Sequence, residues 1–153
     1  MLLTQQSHKQ VIPAPVTALS WIYTPEHPGS LQNVLACTQG CSLSLHHATT
    51  SKQIASFMPL RNEHGLSAPD GEGLLSCSAA PDGNLIAIGG TEGSVTILDC
   101  LGSKLREHAS LHVPASHAGA TGQAHASRVF TVQWHPDDPH LLLSGGWDKF
   151  VKV

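Results

Sequence analysis

Charge is scarce in this chain of 153 residues: Asp, Glu, Lys and Arg together make up 12%, about half the usual share of a globular protein. The eight Lys and Arg are scattered and form no run. That excludes the basic surface that nucleic acid or an anionic membrane would need. No apolar stretch approaches the ~18 residues that span a bilayer as a helix. The opening Met1-Leu2-Leu3-Thr4-Gln5-Gln6 has neither a basic region nor a long apolar one, so it does not read as a secretory signal. The four cysteines, Cys37, Cys41, Cys77 and Cys100, contain no C-x-x-C spacing and match no zinc or redox template. They are expected to be reduced thiols of a cytoplasmic or nuclear protein.

Helical periodicity is lacking too. No segment keeps apolar residues at i, i+3, i+4 and i+7 for three turns, and ten prolines and fourteen glycines are spread along the chain. Apolar residues nevertheless make up 41%. They fall in short runs bounded by turn residues, which is the strand pattern.

The runs form three similar sets. The first is Val16-Thr17-Ala18-Leu19-Ser20-Trp21, a Pro/Gly-rich turn, Asn33-Val34-Leu35-Ala36-Cys37 and Cys41-Ser42-Leu43-Ser44-Leu45. The second is Leu74–Ala80, the turn Pro81-Asp82-Gly83-Asn84, Leu85–Gly90 and Ser94–Asp99. The third is Val129–Trp134, the turn His135-Pro136-Asp137-Asp138-Pro139, Leu141–Gly146 and Phe150–Val153. Asp82-Gly83 suits a hairpin, because both residues tolerate positive φ. Glu92-Gly93 and Asp148-Lys149 mark the second turns, and the pairs Gly89-Gly90 and Gly145-Gly146 occupy the same point of their sets. Self-similarity of this kind marks a repeat architecture.

The segment 125–153, H-A-S-R-V-F-T-V-Q-W-H-P-D-D-P-H-L-L-L-S-G-G-W-D-K-F-V-K-V, resembles a WD repeat. The resemblance is weaker over 74–101 and weaker again over 16–57. It implies an all-β fold, a partial β-propeller of about three four-stranded antiparallel blades, the last incomplete. The whole chain is expected to form one such unit. Blade 1 covers about 11–57, blade 2 about 74–112 and blade 3 about 125–153, with connectors at 58–73 and 113–124 that lengthen the usual repeat of about 40–45 residues.

The resemblance also implies a hydrogen-bonded tetrad of His, Ser or Thr, Asp and Trp within a blade. His125, Ser144 and Asp148 stand at three of these positions, and the tryptophan is expected just after Val153. In the second set Glu92 stands for the aspartate and Leu98-Asp99 for Trp-Asp; in the first, Gln39 and Leu45-His46 do. A buried imidazole left without partners costs about 1–3 kcal/mol, so such a network pins loop and turn to the strands between them.

Other groupings invite sharper readings. His125, Ser144 and Asp148 are also the residue types of a hydrolase triad, but no G-x-S-x-G elbow accompanies them. His108, His112 and His117 stand mostly among Ala, Ser, Val and Pro, with Glu107 as the one adjacent carboxylate and no cysteine, a weak ligand set for a metal, and His46 and His47 should point to opposite faces of a strand. The glycine-rich 89–94 has no Lys for a P-loop, and Asp137-Asp138 reads as a solvated turn. Trp21 and Trp134 are expected to lie between blades. Trp147, in a tight turn, is the candidate anchor for a partner.

The function expected is therefore a protein–protein interaction scaffold, a fragment of a larger propeller, with a protein or peptide partner and no catalysis, cofactor or metal. Self-association through open strand edges is a further expectation. The alternatives are a histidine-rich metal-binding or enzymatic domain, or a truncated product without independent function.

Overall fold

The computed structural model describes residues 14–23, 33–59, 73–101, 103–111 and 124–153. The connectors at 58–73 and 113–124 and the histidines His112 and His117 lie wholly or largely outside them. The described residues form eleven strands in three antiparallel sheets and no helix.

The first sheet runs in chain order through β1 (Val16–Ile22), β2 (Val34–Gln39), β3 (Ser42–His47) and β4 (Gln53–Phe57). The second does the same through β5 (Leu74–Ala79), β6 (Leu85–Gly90), β7 (Val95–Leu101) and β8 (Lys104–Leu111). The third contains β9 (Val129–Trp134), β10 (Leu142–Gly146) and β11 (Val151–Lys152). The innermost strands line up side by side, β1 against β5 and β5 against β9.

Alternation explains why the sheets stack. Successive strand residues point to opposite faces, and the second sheet is apolar on both. Cys77, Ile86, Ile88 and Leu98 pack toward the first sheet, against Ile22, Val34, Leu43 and Leu45. Ala80, Ala87 and Val95 face the other way, against Val129, Val132 and Trp134 of the third sheet. β6 consequently reads as a nearly continuous buried run, Leu-Ile-Ala-Ile-Gly-Gly.

Each innermost strand carries a bulge at its N-terminal end, where one residue is skipped in the pairing: Thr17, Leu75 and Phe130. Bulges re-aim side chains and increase twist. A second pair of bulges recurs between third and fourth strands, at Ile54 and His108.

Three expectations change. Trp134 packs between sheets at 7% exposure, but Trp21 is 63% exposed, because its face of β1 points away from the second sheet. Gly83 takes positive φ, whereas Asp82 does not; the Asp82 carboxylate accepts hydrogen bonds from Asn84 N and Nδ2 at 3.0 and 2.9 Å. The first sheet also departs in register. Gln39 pairs with Ser42 across a two-residue turn, while Gly90 and Gly146 close onto Ser94 and Phe150 across three residues. Gln39 is thus a strand residue, its amide donating to Ala14 O at 2.7 Å. The shorter turn also moves the Trp-Asp register from Leu45-His46 to His46-His47: Leu35 pairs with His46 as Ile86 pairs with Leu98.

Candidate functional site

The site is assembled on the three-residue turn between β10 and β11. Gly146 N donates to Phe150 O at 3.3 Å, Lys149 N donates to Gly146 O at 3.2 Å, and Lys149 adopts φ 70°. Phe150 N donates to Asp148 Oδ1 at 3.2 Å, so the aspartate side chain braces its own turn. Trp147 N donates to Arg128 O at 2.9 Å, tying the turn to the chain entering β9.

His125, on that entering segment, is 1% exposed. Its Nδ1 lies 2.9 and 3.0 Å from the two carboxylate oxygens of Asp148, and its Nε2 lies 2.9 Å from Ser144 Oγ. An ionised carboxylate only accepts, so Nδ1 carries the proton and donates. In the neutral ring Nε2 is then the acceptor, and the Ser144 hydroxyl donates to it. Ala126 N donates to Asp148 Oδ2 at 3.0 Å. Burial works to raise the Asp148 pKa. The hydrogen bonds from His125, Ala126 and Phe150 outweigh it and hold the carboxyl below its ordinary value of 3.8.

Glycine makes this packing possible. A Cβ on Gly146 would sit 2.6 Å from His125 Nδ1 and 2.9 Å from Asp148 Oδ1. Gly93, at φ 80°, accepts from His125 N at 3.3 Å, and a Cβ there would collide with His125 O. The network therefore also joins the third sheet to the β6–β7 turn of the second.

The neighbouring residue behaves differently. Trp147 is 64% exposed. Phe130 meets it edge-on, with ring centroids 5.5 Å apart at 82°, and the Arg128 guanidinium lies 5.7 Å from the indole centroid. Sequence reasoning named Trp147 but not Arg128 or Phe130. Phe130 is the bulged residue of β9, and a bulge leaves no alternation signal to read.

The remaining candidates are dispersed. Ser144 has the partners of a hydrolase serine, yet it is 8% exposed, in mid-strand and turned toward the second sheet. Among the described residues no cluster of three His, Cys, Asp or Glu is placed to hold a metal. His108 Nδ1 lies 3.1 Å from Asp99 Oδ1, His46 Nε2 lies 2.9 Å from Ser44 Oγ, and His47 Nδ1 accepts from Thr50 N at 3.4 Å. Asp138 Oδ1 accepts from His140 N at 2.8 Å within its own turn.

Residues 119–153 match the family model for the WD domain, G-beta repeat. A chain in the crystal structure of a mitotic checkpoint complex superposes with a TM-score of 0.61 at 18% identity, covering 90% of this chain and 35% of that one. A chain in the structure of Chaetomium thermophilum Sqt1 bound to the N-terminus of ribosomal protein L10 gives 0.58 at 21% identity, covering 86% of this chain and 31% of that one. The C-terminal WD40 domain of Sif2 gives 0.56 at 13% identity, covering 86% and 31%. The chain spans about a third of the length of the structures it matches. With its three antiparallel sheets and its repeated innermost-strand bulge the chain has the β-propeller fold of these structures over the part it covers, and its residues 119–153 match a WD repeat.

Proposed function

We propose that this chain is a protein-interaction scaffold, not an enzyme, and that it takes a protein or peptide partner on the surface formed by Arg128, Phe130 and Trp147. The observation that carries the reading is the position of Trp147: exposed to solvent, yet built on a turn held from beneath by Asp148, His125 and the Arg128 carbonyl. Large aromatic and arginine side chains dominate binding hot spots. Holding them rigid before contact lowers the entropic cost of binding. Two of the similar structures contain protein or peptide complexes, a checkpoint assembly and Sqt1 with the L10 N-terminus. A cytoplasmic or nuclear setting belongs to the same reading, since it keeps Cys37, Cys77 and Cys100 as thiols.

The test is comparative. Partners recovered with the tagged chain and lost with Trp147→Ala are purified and titrated against both proteins by calorimetry. Trp147→Ala should weaken binding by about 30-fold or more, the threshold of a hot spot. Equal affinities for the two proteins would remove Trp147 as the anchor.

A further inference from the structure

The second sheet has a neighbour on both sides, so it shows which positions stay open in this fold. Its turn is tied down like that of the third sheet: Thr91 N donates to Gly73 O at 2.9 Å, as Trp147 N donates to Arg128 O at 2.9 Å. Leu75 and Phe130 are the residues skipped by the bulges of β5 and β9. Gly73, Leu75 and Thr91 are therefore equivalent to Arg128, Phe130 and Trp147. All three keep part of their surface although sheets stand on either side of them. The aromatic surface of the third sheet thus lies at the turn end of the array, where flanking sheets do not close it off.

On the third sheet this end carries positive charge. Arg128 and Lys149 are exposed, and among the described residues no carboxylate pairs with either. The carboxylate of the same turn points inward: the Asp148 side chain is 7% exposed and accepts from His125 Nδ1, Ala126 N and Phe150 N. At the equivalent position of the second sheet, Glu92 is exposed. The sign of the surface therefore changes from one turn to the next, in a chain whose net charge is -3.

The Arg128 guanidinium is also held in place. It lies 5.7 Å from the Trp147 indole centroid, within cation–π reach. A planar fork of N–H donors, restrained before contact, suits a carboxylate. Trp147 and Phe130, edge to face, supply an apolar surface beside it.

We propose that this site takes an acidic peptide segment, with one Asp or Glu carboxylate accepting from the Arg128 guanidinium, a second facing the Lys149 ammonium, and an apolar side chain against Trp147 and Phe130. The inference rests on the reading of this surface as a partner site and adds the chemistry of the partner.

Selection of a random peptide library on the full chain tests this, followed by titration of the enriched peptides by fluorescence anisotropy. Enriched peptides should carry an excess of Asp and Glu beside an aromatic or aliphatic residue. Arg128→Gln should weaken their binding about tenfold or more, as the loss of a charge-assisted pair does. Raising the salt from about 0.05 to 0.5 M should weaken the wild-type complex through screening. Selection on Arg128→Glu should enrich Lys and Arg instead. The Arg128 side chain is exposed and the bond it gives the turn is made by its carbonyl, so these changes leave the turn intact. Peptides that are weakened by Trp147→Ala but carry no excess of acid, or are indifferent to Arg128→Gln, leave the scaffold reading standing and overturn this one. A selection that yields no peptide weakened by Trp147→Ala overturns both.

Discussion

His125 is buried with both ring nitrogens engaged, and the partner on each side determines what the other nitrogen does. Asp148 accepts the hydrogen bond from Nδ1–H, so in the neutral ring Nε2 must accept, and only a donor such as the Ser144 hydroxyl satisfies it. The depressed carboxyl pKa makes this network pH-dependent with a definite sign. The folded-state value lies below 3.8, while an unfolded Asp titrates near about 3.9. The folded chain therefore binds fewer protons, and Asp148's contribution is complete at neutral pH and lost as pH falls through the folded value. Asp148→Asn should lose about 1–3 kcal/mol in urea denaturation at pH 7, and its deficit against wild type should shrink below about pH 4. A deficit that is constant with pH would mean that the charge contributes nothing.

Cys77 offers a second test at this scale. Burial, reinforced by the neighbouring Cys37 and only partly offset by a hydrogen bond to Thr38, pushes its thiol up to about 12. Thiolate is the reactive form, so Cys77 should resist iodoacetamide at pH 8 in the folded protein and react once urea unfolds it. Peptide mass spectrometry reads this directly.

Strands gain their meaning here from repetition. Glycine is needed where neighbouring sheets close on one another. A Cβ on Gly89 would lie 2.8 Å from Val129 Cγ1, across the interface between second and third sheets. Gly89→Ala should cost about 1–3 kcal/mol by overpacking. Gly93→Ala combines a positive φ with a clash against the His125 carbonyl and should cost at least as much. Ser78→Ala removes the acceptor for Trp134 N and should cost about 1 kcal/mol. Thermal melts of the three variants would rank them; Ser78→Ala as the most harmful would contradict the packing argument.

Much at the element scale was legible. The first three strands of each set follow from alternation and turn residues. The fourth strands, β4 and β8, were not spelled out, because Gln53–Phe57 and Lys104–Leu111 lie at the outer edge, where exposure mixes polar and apolar residues. The first sheet's short turn was missed because Gln39-Gly40-Cys41 does not announce whether two or three residues make the reversal. That single residue moved Gln39 into a strand and shifted the register to His46-His47.

At the scale of the molecule, the sheets differ in how much of them is covered. Among the described residues the second is packed on both faces, and the first and third on one each. In a repeat array, stability comes from each unit and its contacts with neighbours. Amide exchange should therefore be slowest in β6 and β7 and faster in β1 and β10. Uniform protection across the three sheets would argue against neighbour-dependent stability.

The sequence by itself determined the all-β class and the three-fold repetition, because alternation and turn chemistry are local and survive in a linear string, and the resemblance of 125–153 to a WD repeat implied the grouping of His125, Ser144 and Asp148. Only the tertiary structure decided which face of each strand is covered. Trp21 and Trp134 end equivalent strands with the same chemistry, yet one is exposed and the other buried. The difference lies in whether a neighbouring sheet stands on that side. The same holds for Phe130, which a bulge turns toward Trp147. Burial depends on what chain distant in sequence brings alongside, and that is settled by packing rather than by the residue itself.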